Sequence, residues 1–281
     1  MTELPVFQPQ PPDHEDRQSA VPFHRDLLRR LYYACAALAV DPRRVVNSWR
    51  AVPRYVINAL TYWRRNRQPS FRIRGRDLQF ATSDRFLSAA SVRGHYFLQD
   101  LWAARHVYRR DVRQHTDVGS RVDGFIAHLL PFCEVTYVDV RPLEATVDGL
   151  VFRQGSITAL PFPDASVGSL SCLHVIEHIG LGRYGDPIDP DGHLKAAAEL
   201  SRVLRSGGQL LLGTPVGRER LCFDAHRIFD PATIVAMLKP LVLLTFALID
   251  DGGTTIQREA SFEQARRCTY GCGLFLFEKP M

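Results

Sequence analysis

The octapeptide Asp117-Val118-Gly119-Ser120-Arg121-Val122-Asp123-Gly124 joins a short apolar run to a helical pattern over Val122–Leu130. A glycine between a strand and a helix lets the backbone approach a ligand closely, and the free amides at the start of the helix can bind an anion. Asp139 follows 20 residues after Gly119, at the end of the apolar run Val135–Val140, where an acid can bind ribose hydroxyls. The turn, the strand and the carboxylate together predict a nucleotide site.

Short apolar runs and helical patterns alternate over the rest of the C-terminal part, which is typical of βα units and a parallel sheet. The expected strands are His115–Val118, Val135–Val140, Leu150–Arg153, Gly168–Leu173, Gln209–Gly213, Leu241–Ile249 and Gly273–Phe277. The expected helices are Gly94 to about Arg110, Val122–Leu130, a short piece after Pro142 and His193–Leu204. The predicted fold class is α/β, a doubly wound sheet with a C-terminal antiparallel strand pair and a helical N-terminal extension.

The N-terminal part has a different composition. Residues 1–20 are rich in Pro, Gln and acids and predict a disordered tail. Residues 21–93 predict a basic helical extension and linker, in which Pro42 and Pro53 separate about three helices and residues 69–94 form a linker or a small strand pair. Residues 94–281 form the third segment, the main domain. Residues 43–67 carry seven arginines among aromatic residues, so they either contact a membrane surface or pack on the main domain.

Composition excludes several classes of protein. Of the 281 residues, 46% are hydrophobic and 23% are charged, which excludes a wholly disordered chain. No apolar run reaches the ~18 residues of a membrane span. The six cysteines are unevenly spaced and no secretory signal precedes them, so we expect a reduced, cytoplasmic protein.

Charge is unevenly distributed along the chain. Residues 1–114 hold 20 Arg, no Lys and 10 acids, within a chain whose net charge is +5. Such a segment favours an anionic partner, which is a lipid surface, a nucleic acid or a phosphorylated substrate. The alternative is a bias toward Arg codons combined with solvated helix faces.

Five motifs, in chain order, resemble those of class I S-adenosylmethionine-dependent methyltransferases. They are Asp117–Ser120, Asp139, Gly155–Asp164, Ser171–His178 and Leu200–Leu210. The resemblance implies a Rossmann-like fold and S-adenosyl-L-methionine as cofactor. The residues it assigns to the cofactor are Asp117, Gly119, Ser120, Asp139, Ser156, Ile157 and His174.

The sequence departs from the family pattern at three places. Arg121 stands where the second glycine of the first motif is expected, and Ser156 stands where an adenine-binding Asp is common. Val167-Gly168 replaces the usual Phe-Asp at the start of the fourth strand. The first two departures affect details of cofactor contact rather than the fold. The stretches Glu177–Pro187 and Gly94–Phe97 resemble a methyltransferase-like subfamily of unassigned substrate, which implies an association with glycan assembly.

Candidate catalytic residues follow the fourth and fifth strands. Transfer of a methyl group to an alcohol requires a base, most often a histidine or a carboxylate. His178 is the first candidate, Glu177 could orient it or accept the proton itself, and His226 is the second base candidate. The alternative is that the Glu-His pair only packs the following turn.

Candidate acceptor-binding residues lie on the glycine-rich loop Gly180–Gly185 and after the fifth strand. Arg183, Tyr184, Asp186 and Arg227 could bind a phosphate-bearing or carboxylate-bearing acceptor. We predict that this loop is a lid over the substrate, and the alternative is that it is an ordinary surface turn. No zinc motif is evident, because Cys268-x-x-x-Cys272 lacks a partner pair, so no metal is expected.

The predicted activity is methyl transfer to a small molecule or glycan, in particular O-methylation of a sugar hydroxyl. One rival is a quinone or other small-molecule methyltransferase, and another is a non-catalytic cofactor-binding scaffold. A nucleic-acid methyltransferase is disfavoured because no Asn/Asp-Pro-Pro-Tyr/Phe motif follows the fourth strand. The predicted extension would contact a membrane or a phosphate-bearing carrier, and the sequence leaves the oligomeric state open.

Overall fold

The computed structural model describes residues 42–75, 78–79, 92, 94–223 and 225–281. The predicted tail over residues 1–20 and the helices expected before Pro42 lie outside these residues. The described residues belong to two units, one before residue 92 and one from residue 92 onward. No helix among the described residues is long and apolar enough to cross a membrane.

The first unit contains helix α1 (Pro42–Arg65) and a 3-10 turn (Pro69–Phe71). The prediction that Pro53 separates two helices is wrong, because α1 continues through it. Proline removes one helical hydrogen bond, but the apolar positions on its two sides stay on one face of a single helix. The described part of residues 69–94 contains no strand, so the predicted strand pair is not found there.

The described residues of the second unit form nine strands and several helices. Its helices are α2 (His95–Arg109), a π-helix (Val122–Ile126) that continues as α3 (Ala127–Leu129), a 3-10 turn (Ile176–His178), α4 (Gly192–Val203), α5 (Pro231–Met237) and α6 (Phe262–Arg266). Its strands are β1 (Gln114–Val118), β2 (Glu134–Asp139), β3 (Leu150–Gln154), β4 (Val167–Leu173), β5 (Leu204–Val216), β6 (Arg220–Cys222), β7 (His226–Ile228), β8 (Val242–Ile249) and β9 (Gly271–Glu278).

Seven strands form one sheet in the order β3-β2-β1-β4-β5-β9-β8. The pairs among β1 to β5 are parallel, whereas β9 is antiparallel to both β5 and β8. Strands β6 and β7 form a separate antiparallel pair. The predicted Rossmann-like doubly wound sheet with a C-terminal antiparallel pair is therefore confirmed.

Buried residues pack on both faces of the sheet, as expected for a parallel sheet covered by helices. One cluster includes Val138, Leu170 and Leu200, and the other includes Trp102 and Phe125. The turn that follows β1 lies at the carboxyl edge, which is where ligands bind in such sheets.

The short helix predicted after Pro142 does not form. Residues 142–147 adopt no regular structure, and Gly149 has φ 77°. Pro142, the β-branched pair Thr146-Val147 and this glycine are all weak helix formers. The connection from β2 to β3 is therefore an extended loop.

Candidate functional site

A cleft with a cavity volume of about 160 Å³ lies at the carboxyl ends of β1, β2 and β4. Gly119 lies on its floor with φ 73°, and a Cβ there would contact Val175 at 3.0 Å. Glycine at this turn therefore satisfies both the left-handed backbone and the close packing.

Asp139 lies at the end of β2 and lines the cleft. Its carboxylate is 7% exposed and accepts four hydrogen bonds, from the Tyr137 hydroxyl (2.8 Å) and from the Arg141 backbone NH, Nε and guanidinium NH2 (2.9, 3.0 and 2.7 Å). Burial would raise the pKa of Asp139, but the bonds from Arg141 outweigh burial and lower it. The acid is thus ionised, and Arg141 already neutralises it.

Asp117 and Ser120 lie behind the cleft rather than in it. Asp117 is fully buried and accepts bonds from the Ser120 backbone NH (3.0 Å), the Ser120 hydroxyl (2.6 Å) and the Ser171 hydroxyl. Burial raises the pKa of Asp117 to about 7. The Ser120 hydroxyl also accepts a bond from the Leu173 backbone NH at 3.2 Å. These two residues tie the β1 turn to β4.

Ser156 and Ile157 line the wall of the cleft next to Asp139. The Ser156 hydroxyl lies 2.8 Å from the Thr158 hydroxyl. This wall continues into the Leu160–Asp164 segment, which Arg202 holds through the Leu160 and Phe162 carbonyls (3.1 and 2.9 Å). The third and fifth family-like motifs are therefore joined by one arginine.

His174 lines the cleft at the end of β4, with a positive φ of 56°. Its Nδ1 lies 2.8 Å from Glu177 Oε1, and both side chains are almost fully buried. Burial would lower the pKa of the His174 imidazole, but its interactions with Cys272 and Glu177 outweigh burial and raise that pKa well above its usual value. Glu177, in turn, has its pKa lowered because His174 outweighs the effect of burial.

Glu177 does not line the cleft, so it contacts His174 rather than an acceptor. His178 does line the cleft, and its Nδ1 lies 2.6 Å from the Ala225 carbonyl. A carbonyl only accepts, so Nδ1 carries the proton and Nε2 holds the free lone pair. His178 Nε2 is 3.8 Å from Glu177 Oε1.

His226 lies beside His178, with 6.3 Å between ring centroids, but is not among the residues that line the cleft. Burial lowers the pKa of His226 to about 4, so its imidazole is neutral at physiological pH. The structure therefore brings the two base candidates together and puts only His178 at the cleft wall.

The glycine-rich loop borders the mouth of the cleft. Tyr184 and Asp186 line it, and the Asp186 carboxylate accepts a bond from the Gly180 backbone NH at 2.7 Å. Arg183 is exposed and donates to the Ala225 carbonyl at 2.9 Å. Arg227 instead donates to the Ile179 and Pro190 carbonyls (2.7 and 3.2 Å), which closes the base of the loop.

Arg141 is the cleft residue that sequence reasoning missed. Besides its bonds to Asp139, its guanidinium carbon lies 5.0 Å from the centroid of the Tyr184 ring. In the sequence, Arg141 is only an arginine two residues after an acid at the end of a strand. This arrangement is too common to predict a functional residue. Its contact with Tyr184 could not be foreseen because the two residues are far apart in sequence.

Residues 116–212 match a family model described as a methyltransferase domain. This match covers 97 of the 281 residues, and within it the chain resembles S-adenosylmethionine-dependent methyltransferases. Residues 166–265 also match a model described as Caenorhabditis protein of unknown function, DUF268. The resemblance inferred from the five motifs is confirmed for this domain.

A probable S-adenosylmethionine-dependent methyltransferase from Mycolicibacterium smegmatis is 34% identical over 111 residues. That alignment covers 40% of this chain and 35% of the relative, so the chain spans about a third of the relative's length. Among solved structures, YcgJ from Bacillus subtilis is 19% identical with a TM-score of 0.46, covering 65% of this chain and 98% of that one. The N-methyltransferase NodS from Bradyrhizobium japonicum, solved with S-adenosyl-L-homocysteine, is 16% identical with a TM-score of 0.46, covering 65% and 85%.

The cleft of the methyltransferase domain fits the cofactor of this family. A buried carboxylate at the end of β2 can accept bonds from two ribose hydroxyls, and the Ile157 side chain offers an apolar wall for a base. The Gly119 turn allows close approach of the chain. Asp139 has no unused lone pair, so binding of a ribose there requires that Arg141 move aside.

Proposed function

We propose that the chain transfers a methyl group from S-adenosyl-L-methionine to a hydroxyl of a phosphate-bearing sugar or glycan. The observation that carries the proposal is the arrangement at the mouth of the cleft. The guanidinium carbons of Arg141 and Arg183 lie 5.0 and 5.4 Å from the centroid of the Tyr184 ring. Among the described residues, Arg183 uses only one guanidinium NH2 group, on the Ala225 carbonyl, so it can still bind a phosphate, and the exposed Tyr184 beside it can contact a sugar.

Arg183 and Tyr184 therefore keep the acceptor-binding role predicted for them, and Asp186 shapes the loop that presents them. Arg227 contributes differently, because its guanidinium is already used to hold two loop carbonyls. We assign it the positioning of the loop rather than direct binding of the phosphate.

The cofactor supplies an electrophilic methyl group on a sulfonium, and the protein must orient an oxygen nucleophile toward it. His178 is the base that we assign, because its Nε2 lone pair is free and its ring lines the cleft. When Nε2 accepts the hydroxyl proton, the Glu177 carboxylate at 3.8 Å stabilises the resulting imidazolium. His226 lies next to His178 and is neutral, so it is the second candidate for the general base.

The test is an acceptor screen with S-adenosylmethionine labelled on its methyl group. We expect label in sugar phosphates or lipid-linked glycan phosphates, and none in quinols or catechols. Transfer to quinols instead would support the rival small-molecule methyltransferase. Cofactor binding without transfer to any acceptor class would support the scaffold alternative.

We also propose that residues 43–67 contact an anionic membrane surface. Helix α1 contains six arginines and no acidic residue. One face holds Val45, Trp49, Val56, Leu60 and Trp63, all exposed, with Trp49 at 74% and Trp63 at 68%. An exposed apolar face beside basic residues is the pattern of a helix that lies in a lipid interface. Lipid-linked acceptors would then be presented near this surface.

Vesicle sedimentation tests this contact. The full chain should bind phosphatidylglycerol-containing vesicles and not neutral ones, and a Trp49→Ala/Trp63→Ala variant should bind at least about tenfold more weakly, since each buried aromatic contributes a kcal/mol or more. The matched control is Tyr108→Ala, which removes an exposed aromatic (67%) from α2. Equal binding of all three proteins, or no binding to anionic vesicles, would contradict the proposal.

A further inference from the structure

Three metal-binding side chains from distant parts of the sequence meet at the carboxyl edge of the sheet. They are His95 at the start of α2, His174 after β4 and Cys272 in β9. One nitrogen of each histidine and the cysteine sulfur all lie within 4.8 Å of one another. His174 and Cys272 are buried, and His95 is half-buried. The spacing of these residues in the chain gives no zinc motif, so the sequence predicted no metal here.

In both histidines, the ring nitrogen that does not face the cluster is hydrogen-bonded to another protein group. His174 Nδ1 lies 2.8 Å from Glu177 Oε1, and His95 Nε2 lies 3.1 Å from the Tyr270 carbonyl. Each of these acceptors accepts a hydrogen bond from a ring N–H, so a metal would bind the other ring nitrogen, His174 Nε2 or His95 Nδ1, in place of a proton. A histidine that binds a metal commonly donates its second N–H to a carboxylate or a backbone carbonyl.

The His174 Nε2 atom is an independent sign that a ligand is missing. The side chain is 3% exposed, and Nε2 is buried without a hydrogen-bond partner among the described residues. Leaving a buried polar atom unpaired costs about 1–3 kcal/mol, so such atoms are rare without a cause. The backbone is also held in place there, since His174 has φ 56° and its NH donates to the Gly213 carbonyl at 2.7 Å.

Cys272 is the other side chain that interacts with His174. Its sulfur also makes long contacts with two oxygen acceptors, at 3.7 Å to Gln99 Oε1 and 3.8 Å to the Gly273 carbonyl. A thiol is a weak donor, whereas a thiolate is a strong metal ligand. The buried sulfur is therefore available for coordination.

We propose that His95 Nδ1, His174 Nε2 and Cys272 Sγ bind a zinc ion. Two imidazoles and one thiolate form the ligand set that zinc accepts in a tetrahedral site, with bonds of about 2.0–2.3 Å. Metal–ligand bonds of these lengths hold the three ligand atoms ~3.5 Å from one another. Zinc binding therefore brings the two ligand atoms that are farthest apart closer by about 1 Å. Three protein ligands leave a fourth position, and because His174 lines the cleft, the site adjoins the methyl-transfer pocket.

Cobalt substitution tests the site without any measurement of activity. The purified protein is stripped with a chelator and titrated with Co²⁺ alone, and the near-ultraviolet thiolate-to-cobalt band is recorded. The wild type should show this band with tetrahedral visible absorption, and Zn²⁺ should abolish both. Cys272→Ser should lose the thiolate band, and His95→Ala should bind Co²⁺ at least about tenfold more weakly.

Cys268→Ser is the matched control, because Cys268 is also buried but lies outside the cluster. It should keep the full cobalt spectrum. A folded wild type without the thiolate band, or a Cys272→Ser variant that retains it, would overturn the proposal. Binding of S-adenosylmethionine, measured on the same samples, reports on the cofactor site separately, so failure of the zinc site is distinguishable from failure of the proposed activity.

Discussion

At the residue scale, the cleft depends on side chains that are already paired within the protein. His178 Nδ1 is fixed by the Ala225 carbonyl, so the lone pair on Nε2 is the one available for a proton. Glu177 is buried and acts on the two flanking histidines instead of on an acceptor. These pairings separate residues that contact ligands from residues that position them.

The base assignment makes a kinetic prediction. His178→Ala should lower kcat for methyl transfer by about 100-fold or more, since general-base catalysis contributes factors of that order. The affinity for S-adenosylmethionine should change little. The control is His128→Ala, which removes an exposed histidine whose Nδ1 lies 2.6 Å from the Gly124 carbonyl. An unchanged kcat for His178→Ala, with loss of kcat in His226→Ala, would transfer the role to His226.

Removal of the Arg141 side chain should strengthen cofactor binding rather than weaken a function. Because its guanidinium occupies both oxygens of Asp139, it competes with ribose hydroxyls for the same lone pairs. Arg141→Ala should therefore bind S-adenosylmethionine about fivefold more tightly, equivalent to the ~1 kcal/mol of a favourable partly exposed ion pair. The comparison is Arg153→Ala, outside the cleft. Weaker binding by Arg141→Ala would show that Arg141 contacts the cofactor itself.

At the element scale, the strands could be predicted because buried parallel strands are short, nearly continuous apolar runs. Helix signals were less reliable. Pro53 lies within α1, where the apolar face continues across it, and the segment after Pro142 has too few helix formers.

The site was predictable only where a motif has a fixed place on the sheet. Asp139 and Gly119 follow from the strand ends, whereas the grouping of His95, His174 and Cys272 arises from the packing of distant elements. The role of Arg227 also depends on packing. As an arginine near the pocket it was predicted to bind an anion, but its hydrogen bonds hold the base of the loop.

Two glycines of the loop give a matched test of its shape. Both Gly180 and Gly185 have positive φ values (79° and 83°), but a Cβ on Gly180 would collide with the Asp189 carbonyl, whereas Gly185 has open space. Gly185→Ala should cost only the ~1 kcal/mol of a left-handed alanine. Gly180→Ala should lower the free energy of unfolding by several kcal/mol more, measured by urea denaturation. Equal losses would show that the loop readily moves away.

At the scale of the whole molecule, buried histidines predict sensitivity to acid. Burial lowers the pKa of His115 to about 3, and its two nitrogens lie 2.7 and 2.8 Å from the Ser169 and Ser171 hydroxyls. The unfolded chain binds the proton near pH 6.5, so between that value and the folded pKa the unfolded state holds more protons. Stability is therefore present above about pH 6.5 and is lost as the pH falls.

One variant tests whether His115 causes this loss of stability at low pH. At about pH 5, each such histidine should have lost about 2 kcal/mol relative to neutral pH. His115→Gln should be less stable than the wild type at about pH 7.5, and the gap should shrink by about 2 kcal/mol at about pH 5. A gap that stays constant between the two urea titrations would mean that His115 titrates normally in the folded protein.

The central claim is that the cleft at the carboxyl edge binds S-adenosyl-L-methionine through Asp139. Calorimetric titration with the cofactor and its demethylated product tests it most directly, using the wild type, Asp139→Ala and the control Asp123→Ala, which removes an exposed acid paired with Arg121. We predict micromolar binding by the wild type and the control, and binding at least about tenfold weaker by Asp139→Ala, since hydrogen bonds to a charged group contribute about 1.5–3 kcal/mol. A folded wild type that binds neither compound, or an Asp139→Ala variant that binds equally well, would contradict the account.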